Sequence, residues 1–445
     1  MMNKMQVYNH LPIWIQNLVC CWEGRKIKAT RYGDIFEKKL SEYEERDKWS
    51  YEQKREYRDE QLRKMIHHCY DTVPYYHNLF NELHIKPDDI QHLDDLKLLP
   101  ILTKDIINEN PEAFISSAIS QNKLMTAHTS GTTGTGFIFK TTQEAICEQW
   151  AVWWRYRRAI GIKFTDWCAM FGGRSIVPIT QVNPPFFRWN KPCKQLYFST
   201  YHMNDNSMPH YIYSIKNSKV NWIHGYPSAI NILADYMIQN HQKLNIKYTT
   251  TGAENLLQSQ KEKIKIALGH VPYEHYGLSE GTANFSENKN HIMFVDEDFA
   301  ATEFITNEYG TKSIIGTTLT NFAMPFVRYN TGDVCKMEEI PTGRVIKELD
   351  GRKEDYLVLR DGTKVGRLDH IFKDMINVRE AQFIQKEPGI AKLRIVRNAR
   401  YNVEDESLLK AEIYSRLKNV DIRIEYVSEI ARTKTGKFRF VVAER

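Results

Sequence analysis

The stretch Thr129-Ser130-Gly131-Thr132-Thr133-Gly134-Thr135-Gly136 is built only from hydroxyl residues and glycines. Its three glycines let backbone NH groups turn toward an anion, and its five hydroxyls can donate to phosphate oxygens. In outline it is a phosphate cradle. It lacks the Gly-Lys-Ser/Thr ending of a Walker loop, and no Gly-x-Gly-x-x-Gly opens a helix here, so neither of those nucleotide-binding patterns fits. Ser, Thr and Gly also dominate ordinary turns, which leaves a polar hairpin turn as the competing reading of the stretch taken alone.

Outward from the loop, residues 144–160 have helical character, with Trp150, Trp153, Trp154 and Arg157 near helical spacing. A loop followed by such a helix would set a helix N-terminus beside bound phosphate. Upstream, residues 37–69 are rich in Glu, Lys, Arg, Tyr and Leu without proline or glycine, which predicts one or two charged helices. Downstream, β-like runs at 167–171, 222–224, 248–251 and 313–319 alternate with helical ones, the pattern of an α/β domain. The final segment of about 90 residues has strand-like runs at 392–397 and 421–427 around a helical 406–418. The expected division is therefore into domains 1–350 and 351–445.

Four further segments follow the loop in order: Tyr276-Gly277-Leu278-Ser279-Glu280, Arg328-Tyr329-Asn330-Thr331-Gly332-Asp333, Gly351-Arg352-Lys353-Glu354-Asp355 and Arg432-Thr433-Lys434-Thr435-Gly436-Lys437. Each is weak alone. As an ordered series they resemble the adenylate-forming superfamily of acyl-CoA synthetases, nonribosomal adenylation domains and luciferases, over roughly residues 62–440. Within it the chain is most similar to the phenylacetate-CoA-ligase-like branch and its capsular-polysaccharide-associated members. That likeness rests on Thr72-Val73-Pro74-Tyr75-Tyr76, Leu99-Pro100-Ile101-Leu102-Thr103-Lys104, His224-Gly225-Tyr226-Pro227-Ser228, Asp361-Gly362, Gly366-Arg367-Leu368-Asp369-His370 and Glu380-Ala381-Gln382. The fold implied is α/β, with a large multi-subdomain N-terminal adenylate-forming domain and a small mobile α+β C-terminal domain.

Adenylation joins a carboxylate to the α-phosphorus of ATP and expels pyrophosphate, so the site needs phosphate donors, a divalent cation and a positioned cation. The resemblance implies one residue set for each need. Thr129, Ser130, Gly131, Thr132, Thr133 and Gly134 would hold the β- and γ-phosphates, although Gly136 stands where relatives usually have proline and Phe137 where a lysine often follows. Glu280 would hold Mg2+, a hard cation that takes one or two protein carboxylates beside phosphates. Tyr276, with Gly277, would stack on adenine, and Gly252, Ala253 and Glu254 would line the other side of the base. Asp333 would grip the ribose hydroxyls, Arg352 would reach ribose or phosphate, and Glu354 stands at the hinge position where many relatives carry aspartate. Lys437 would be the catalytic lysine, with Lys434 its local competitor and Ala431 where proline is familiar. Trp154, Phe171, His224 and Tyr226 could line an acyl pocket; each taken alone reads as core.

Formal charge is 61 minus 55, or +6, and the basic residues are interspersed with acids, which gives nucleic-acid binding no support. Seven cysteines with no C-x-x-C argue against a disulfide framework and for a reducing, cytoplasmic home. No apolar run approaches a membrane span. Residues 11–21 read as an amphipathic packing segment, with a peripheral membrane foot as the minor alternative. The expected activity is AMP-forming: ATP and Mg2+ activate a carboxylic acid, whose acyl group passes to an amino sugar or other amine. A ligase delivering it to coenzyme A is the runner-up, and a non-catalytic nucleotide- or acyl-binding protein is the reading of another class.

Overall fold

Strands buried on both faces must be short runs of apolar or small residues, and five short strands lie side by side in parallel at the centre of the molecule. The computed structural model describes residues 4–129, 137–306, 311–350, 356–365, 368–372, 375, 377–397, 399–431 and 439–443. Helices α1 (Lys4–Asn9), α2 (Ile13–Arg31), α3 (Asp34–Arg46), α4 (Tyr51–Thr72), α5 (Pro74–Leu83) and α6 (Lys104–Glu109) precede the first strands. The charged stretch predicted as one or two helices is two, parted by Ser50, whose side chain and that of Gln53 form a capping box that starts α4.

Strands β1 (Met125–Thr129) and β2 (Phe137–Thr141) pair antiparallel, with Thr129 opposite Phe137, and α7 (Gln143–Ile160) follows. Strand β2 thus stands between the hydroxyl-rich stretch and α7, so the helix N-terminus does not follow that stretch directly. The N-terminus of α7 lies beyond β2, where the Thr142 hydroxyl accepts from the Ala145 amide. The deciding signal is the period-two alternation of Phe137, Phe139 and Thr141, whose rings at 137 and 139 pack against Phe326.

Next come β3 (Trp167–Phe171), β4 (Phe187–Asn190), β5 (Gln195–Phe198), α8 (Met208–Lys216), β6 (Val220–Gly225), α9 (Pro227–Gln239), β7 (Tyr248–Thr251), α10 (Gln258–Leu268) and β8 (Tyr273–Gly277). The order continues through β9 (Asn284–Glu287), β10 (Met293–Val295), β11 (Ala300–Thr306), β12 (Lys312–Thr318), β13 (Tyr329–Ile340) and β14 (Gly343–Asp350). All from β3 onward join one 12-stranded sheet, ordered β11-β12-β13-β14-β10-β9-β8-β7-β6-β3-β5-β4. Its centre, β5-β3-β6-β7-β8, is parallel; both flanks are antiparallel. Helices α8, α9 and α10 cover one face through a core that includes Phe171, Ile223 and Leu233, and α3 and α7 cover the other.

The chain then forms a separate α+β unit. A short pair, β15 (Leu357–Val358) and β16 (Lys364–Val365), precedes the four-stranded sheet of β17 (Val378–Glu387), β18 (Ile390–Arg397), β19 (Asp421–Tyr426) and β20 (Val441–Ala443). Helix α11 (Val403–Arg416) packs on it, and Leu357, Phe372, Phe383, Leu409 and Phe440 form its own core. Tyr201 enters that core, and the Asn204 amide donates to the Thr363 hydroxyl at 3.0 Å. The expected division at 350/351 adjoins residues 351–355, which lie outside the described residues.

Residues 11–21 lie in or beside α2, and the polar pair interrupting their apolar run is what anchors the helix. Gln16 is buried and accepts from Arg188 at 2.7 Å, and Asn17 accepts from the Trp189 amide at 2.9 Å. The outward face keeps Trp14, Leu18 and Trp22 exposed at 64%, 59% and 54%. Among the described residues no helix is long and apolar enough to cross a membrane.

A buried ion network fixes α3, α4 and α7 to the sheet. Arg155 of α7 donates to Asp298 at 2.8 Å and Asp296 at 2.7 Å, and Arg46 of α3 donates to Asp298 at 2.8 Å. Arg58 of α4 reaches Glu297 at 2.7 Å, where Arg344 of β14 also binds. Burial alone would raise the Asp298 carboxyl; Arg155 and Arg46 overcome it and hold the group below its ordinary value. Asp298→Asn leaves two buried guanidiniums short of charge and is expected to cost about 3–5 kcal/mol in urea unfolding. Because the folded-state value is depressed, this contribution is present at neutral pH and is lost as pH falls below about 4. The acid-side loss attributable to it should be missing in the variant, and identical acid limbs would refute the assignment.

Candidate active site

In an open α/β sheet, ligands bind beyond the carboxyl ends of the parallel strands. Four of those ends are Phe171, Gly225, Thr251 and Gly277, and the segments singled out in the sequence lie at or follow them. At β6 the approach is close: a Cβ on Gly225 would sit 2.4 Å from the Phe171 carbonyl oxygen, so only glycine lets β6 lie against β3 there. Tyr226 follows, its amide donating to the same carbonyl at 3.1 Å, and Pro227 opens α9.

Gly252, Ala253 and Glu254 follow β7. Ala253 holds φ at +64°, the left-handed region that costs a residue bearing a Cβ, and the turn points Glu254 across to α9. Its carboxylate accepts from the Ser228 amide at 2.9 Å and the Ser228 hydroxyl at 3.0 Å. An anion at the first turn of α9 complements the helix dipole.

Tyr276 on β8 stacks on Phe285 with ring centroids 4.7 Å apart, and its hydroxyl donates to Asp333 at 2.9 Å. Burial first, and the Asp333 charge next, pushes this phenol well above its ordinary value, so it stays a donor. Gly277 is again a close approach, its missing Cβ facing the Asn284 side chain at 2.7 Å. Asp333 is set by a turn in which its amide donates to the Thr331 hydroxyl at 3.1 Å, after Gly332 at φ +77°. Glu280 is 8% exposed, in a turn closed by the Gly281 amide on the Leu278 carbonyl. Burial, then Glu280 and Asp333 together, raises the Tyr329 phenol, which places both carboxylates in one neighbourhood. The base of the β1–β2 hairpin is there too, since Phe137 stacks on Tyr329 at 6.2 Å and 10°.

The structure thus gathers Tyr276, Glu280, Asp333 and the start of the hydroxyl-rich loop. Thr129 ends β1; Ser130, Gly131, Thr132, Thr133 and Gly134, and likewise Arg352, Glu354 and Lys437, lie outside the described residues. Arg328, which opens the Asp333 motif, serves the framework, forming a forked pair with Glu303 from a backbone at φ +56°. Phe171 is fully buried and stacked on Phe198 at 5.1 Å, and Trp154 is buried against Phe164. His224 and Tyr226 are partly exposed.

Two polar groups beside these were missed in the sequence. His275, one residue before Tyr276, shares the Asn284 side-chain oxygen with the Trp153 indole, at 3.0 and 2.9 Å. Since that oxygen accepts from both, His275 carries its proton on Nε2. Thr250 lies 2.8 Å from His224 Nδ1. Period-two alternation along β6, β7 and β8 puts all three on the α7 face, but only the pairing of the strands shows that they meet. Among the described residues no group of three or more His, Cys, Asp or Glu side chains forms a metal site. A single buried Glu280 carboxylate suits a cation held mainly by substrate phosphates.

The model of the CapK C-terminal domain family matches residues 357–444. Protein CapK of Staphylococcus aureus is 25% identical over 449 residues, covering 98% of both chains. Phenylacetate-coenzyme A ligase of Escherichia coli (strain K12) is 26% identical over 322 residues, 68% of this chain and 71% of that one. Among solved structures, 2-hydroxyisobutyryl-CoA ligase in complex with 2-HIB-AMP and CoA superposes with a TM-score of 0.56 at 16% identity, over 87% of this chain and 89% of that one, a likeness of fold. The chain is thus similar in sequence, over nearly its whole length, to CapK and, over about two-thirds of it, to phenylacetate-coenzyme A ligases, and its fold is that of the adenylate-forming, AMP-forming ligases.

Glu254→Ala removes the anion from the N-terminus of α9 and is expected to cost about 1–2 kcal/mol of stability in urea unfolding. An unchanged midpoint would mean that the carboxylate contributes nothing to the turn.

Proposed function

We propose that the protein activates a carboxylic acid as its acyl-adenylate and passes the acyl group to an amine-bearing sugar or other amine in the making of a surface polysaccharide. The observation that carries the adenylation reading is the convergence of Tyr276, Asp333, Glu280 and the hairpin base at the carboxyl ends of the parallel strands. In this reading Tyr276 and Gly277 form one wall of the adenine site and Gly252, Ala253 and Glu254 the other, with Asp333 accepting from the ribose hydroxyls. Thr129 to Gly134 would hold the β- and γ-phosphates, Glu280 would supply a carboxylate to Mg2+, and Arg352 would donate to ribose or phosphate. Lys437 neutralises charge gathering between the carboxylate and the α-phosphate. Residues 351–445 act as a lid that turns about Glu354 between the two half-reactions.

Two acceptors are supported. Coenzyme A is favoured by the relatives named as coenzyme A ligases. The amine or sugar reading is favoured by the full-length likeness to CapK, which includes the C-terminal segment, whereas those ligases align with about two-thirds of the chain. A screen of aryl, fatty, amino and uronic acids for magnesium-dependent exchange of labelled pyrophosphate into ATP should find at least one substrate. Release of ADP and phosphate would refute adenylation. Asp333→Ala should weaken AMP and ATP alike in calorimetry, and equal affinity would reject the ribose role. With preformed adenylate supplied, AMP release accelerated by coenzyme A and by no amine would overturn the preferred acceptor.

Lys437→Ala should lower pyrophosphate exchange roughly a hundredfold, an electrostatic loss of about 3 kcal/mol, while transfer from supplied adenylate survives. Glu354→Pro fixes φ at the pivot and should spare adenylation while slowing transfer. Equal loss of both half-reactions in both variants, with melting unchanged, would end the lid model.

A further inference from the structure

Seven arginines are buried among the described residues, and six have polar partners. Arg46 and Arg155 bind Asp298, Arg58 and Arg344 bind Glu297, Arg328 binds Glu303, and Arg188 binds Gln16 and Gln181. Arg157 is the exception. It is 7% exposed, and among the described residues it has neither an ion pair nor a hydrogen-bonding partner for its guanidinium. Its contacts are with ring faces: the guanidinium carbon lies 5.7, 5.3 and 5.4 Å from the ring centroids of Trp150, Trp154 and Trp222. Trp150 also carries Arg31 at 4.1 Å, another guanidinium without an ion pair among the described residues. Ring faces offset part of the desolvation of a cation, but they do not replace a counter-ion.

The surroundings of Arg157 are those of a site. It lies on the face of α7 turned to the parallel sheet, where the ring of its neighbour Trp222 is 6.0 Å from that of His224 of β6 and the ring of Trp153, one turn back, is 5.5 Å from that of His275 of β8. Burial, and Arg157 after it, holds both imidazoles down, His275 at about 3, so at neutral pH they are uncharged hydrogen-bonding groups. Met170, Trp153, His224 and His275 lie between helix and sheet, yet each keeps accessible surface. Trp153 and His275 both approach Gly277, at the end of β8 where the acid would be activated.

We infer that Arg157 is the receptor for a second anionic group on the carboxylic acid, so that the acid activated carries another carboxylate or a phosphate remote from its reacting carboxylate. The inference rests on the adenylation reading and narrows its substrate class. The counter-charge missing from the protein arrives with the substrate, with His224 and His275 as neutral partners beside it. An aryl or fatty acid would leave the cation buried and unpaired, which works against its binding.

The test compares α,ω-dicarboxylic acids of increasing length, and phosphorylated hydroxy acids, with the monomethyl ester or dephosphorylated form of each. Pyrophosphate exchange is measured in wild type, Arg157→Met, Arg157→Gln and Arg157→Lys. Tryptophan fluorescence is titrated with the same acids without ATP, because three indoles surround the site. Wild type should prefer at least one dianion over its neutralised partner by roughly a hundredfold in kcat/KM. Arg157→Met and Arg157→Gln should lose that ratio and the dianion-dependent fluorescence change, with melting temperatures no lower than wild type, while Arg157→Lys keeps part of both. Preference of wild type for neutral aryl or fatty acids would overturn the inference and leave adenylation standing. Dianion binding that depends on Arg157, with no acid supporting exchange, would uphold the receptor and sink adenylation. A fall in melting temperature in all three variants with the acid preference unchanged would make Arg157 a structural cation and overturn the receptor.

Discussion

The structure depends on how Asp298 is compensated. That carboxylate is fully enclosed, and Arg46 from α3 and Arg155 from α7 meet on it, while its neighbour Glu297 takes Arg58 from α4 and Arg344 from β14. Three helices are thereby held to the sheet at fixed positions. Burying charges costs several kcal/mol per ion, so this arrangement is not a source of net stability over a well-packed apolar core. It specifies position: α7 cannot slide or rotate without leaving a buried ion unpaired.

From Asp298 the constraint passes to the site through contiguous bonds. Arg155 also binds Asp296, which accepts from Asn284 and Ser286, and Asn284 in turn accepts from Trp153 and His275. The face of α7 that carries Trp153 and Arg157 is therefore set against the α7-facing side of β6 and β8 by the network that fixes the helix. On the opposite flank, Phe137 on Tyr329 and Tyr276 on Asp333 set the hairpin and the β13 turn against the same strand ends. The parallel strands supply the platform, and their flanks supply the walls.

Charge is handled in two ways within one turn of a single helix. Arg155 is saturated by two aspartates, whereas Arg157, two residues on, faces the other way into indole faces and neutral imidazoles. The first arrangement is internally complete and fixes structure. The second is incomplete in charge among the described residues and leaves the cation against ring faces alone.

Much of the molecule was legible in the sequence because its signals are local. Residues 248–251 form a strand over the predicted span, α7 runs from Gln143 to Ile160 beside the predicted 144–160, and α11 and the strands around it fall close to their expected places. The ordered motifs pointed to the superfamily, since each motif is a short backbone device that must be written contiguously. What stayed hidden depends on partners far along the chain. That a strand, β2, stands between the hydroxyl-rich stretch and α7 shows in the pairing of Thr129 with Phe137 and the packing of Phe137 on Phe326. Gln16 and Asn17 interrupt the apolar run of residues 11–21, and their partners, Arg188 and Trp189, lie 172 residues away. Arg155 and Arg157 are the same residue type two positions apart on one helix, and only folding decides which meets aspartate. Periodicity is set within a turn or a strand, so the sequence alone determined it; charge compensation is settled between segments that meet only when the chain is packed, so the tertiary structure alone decided it.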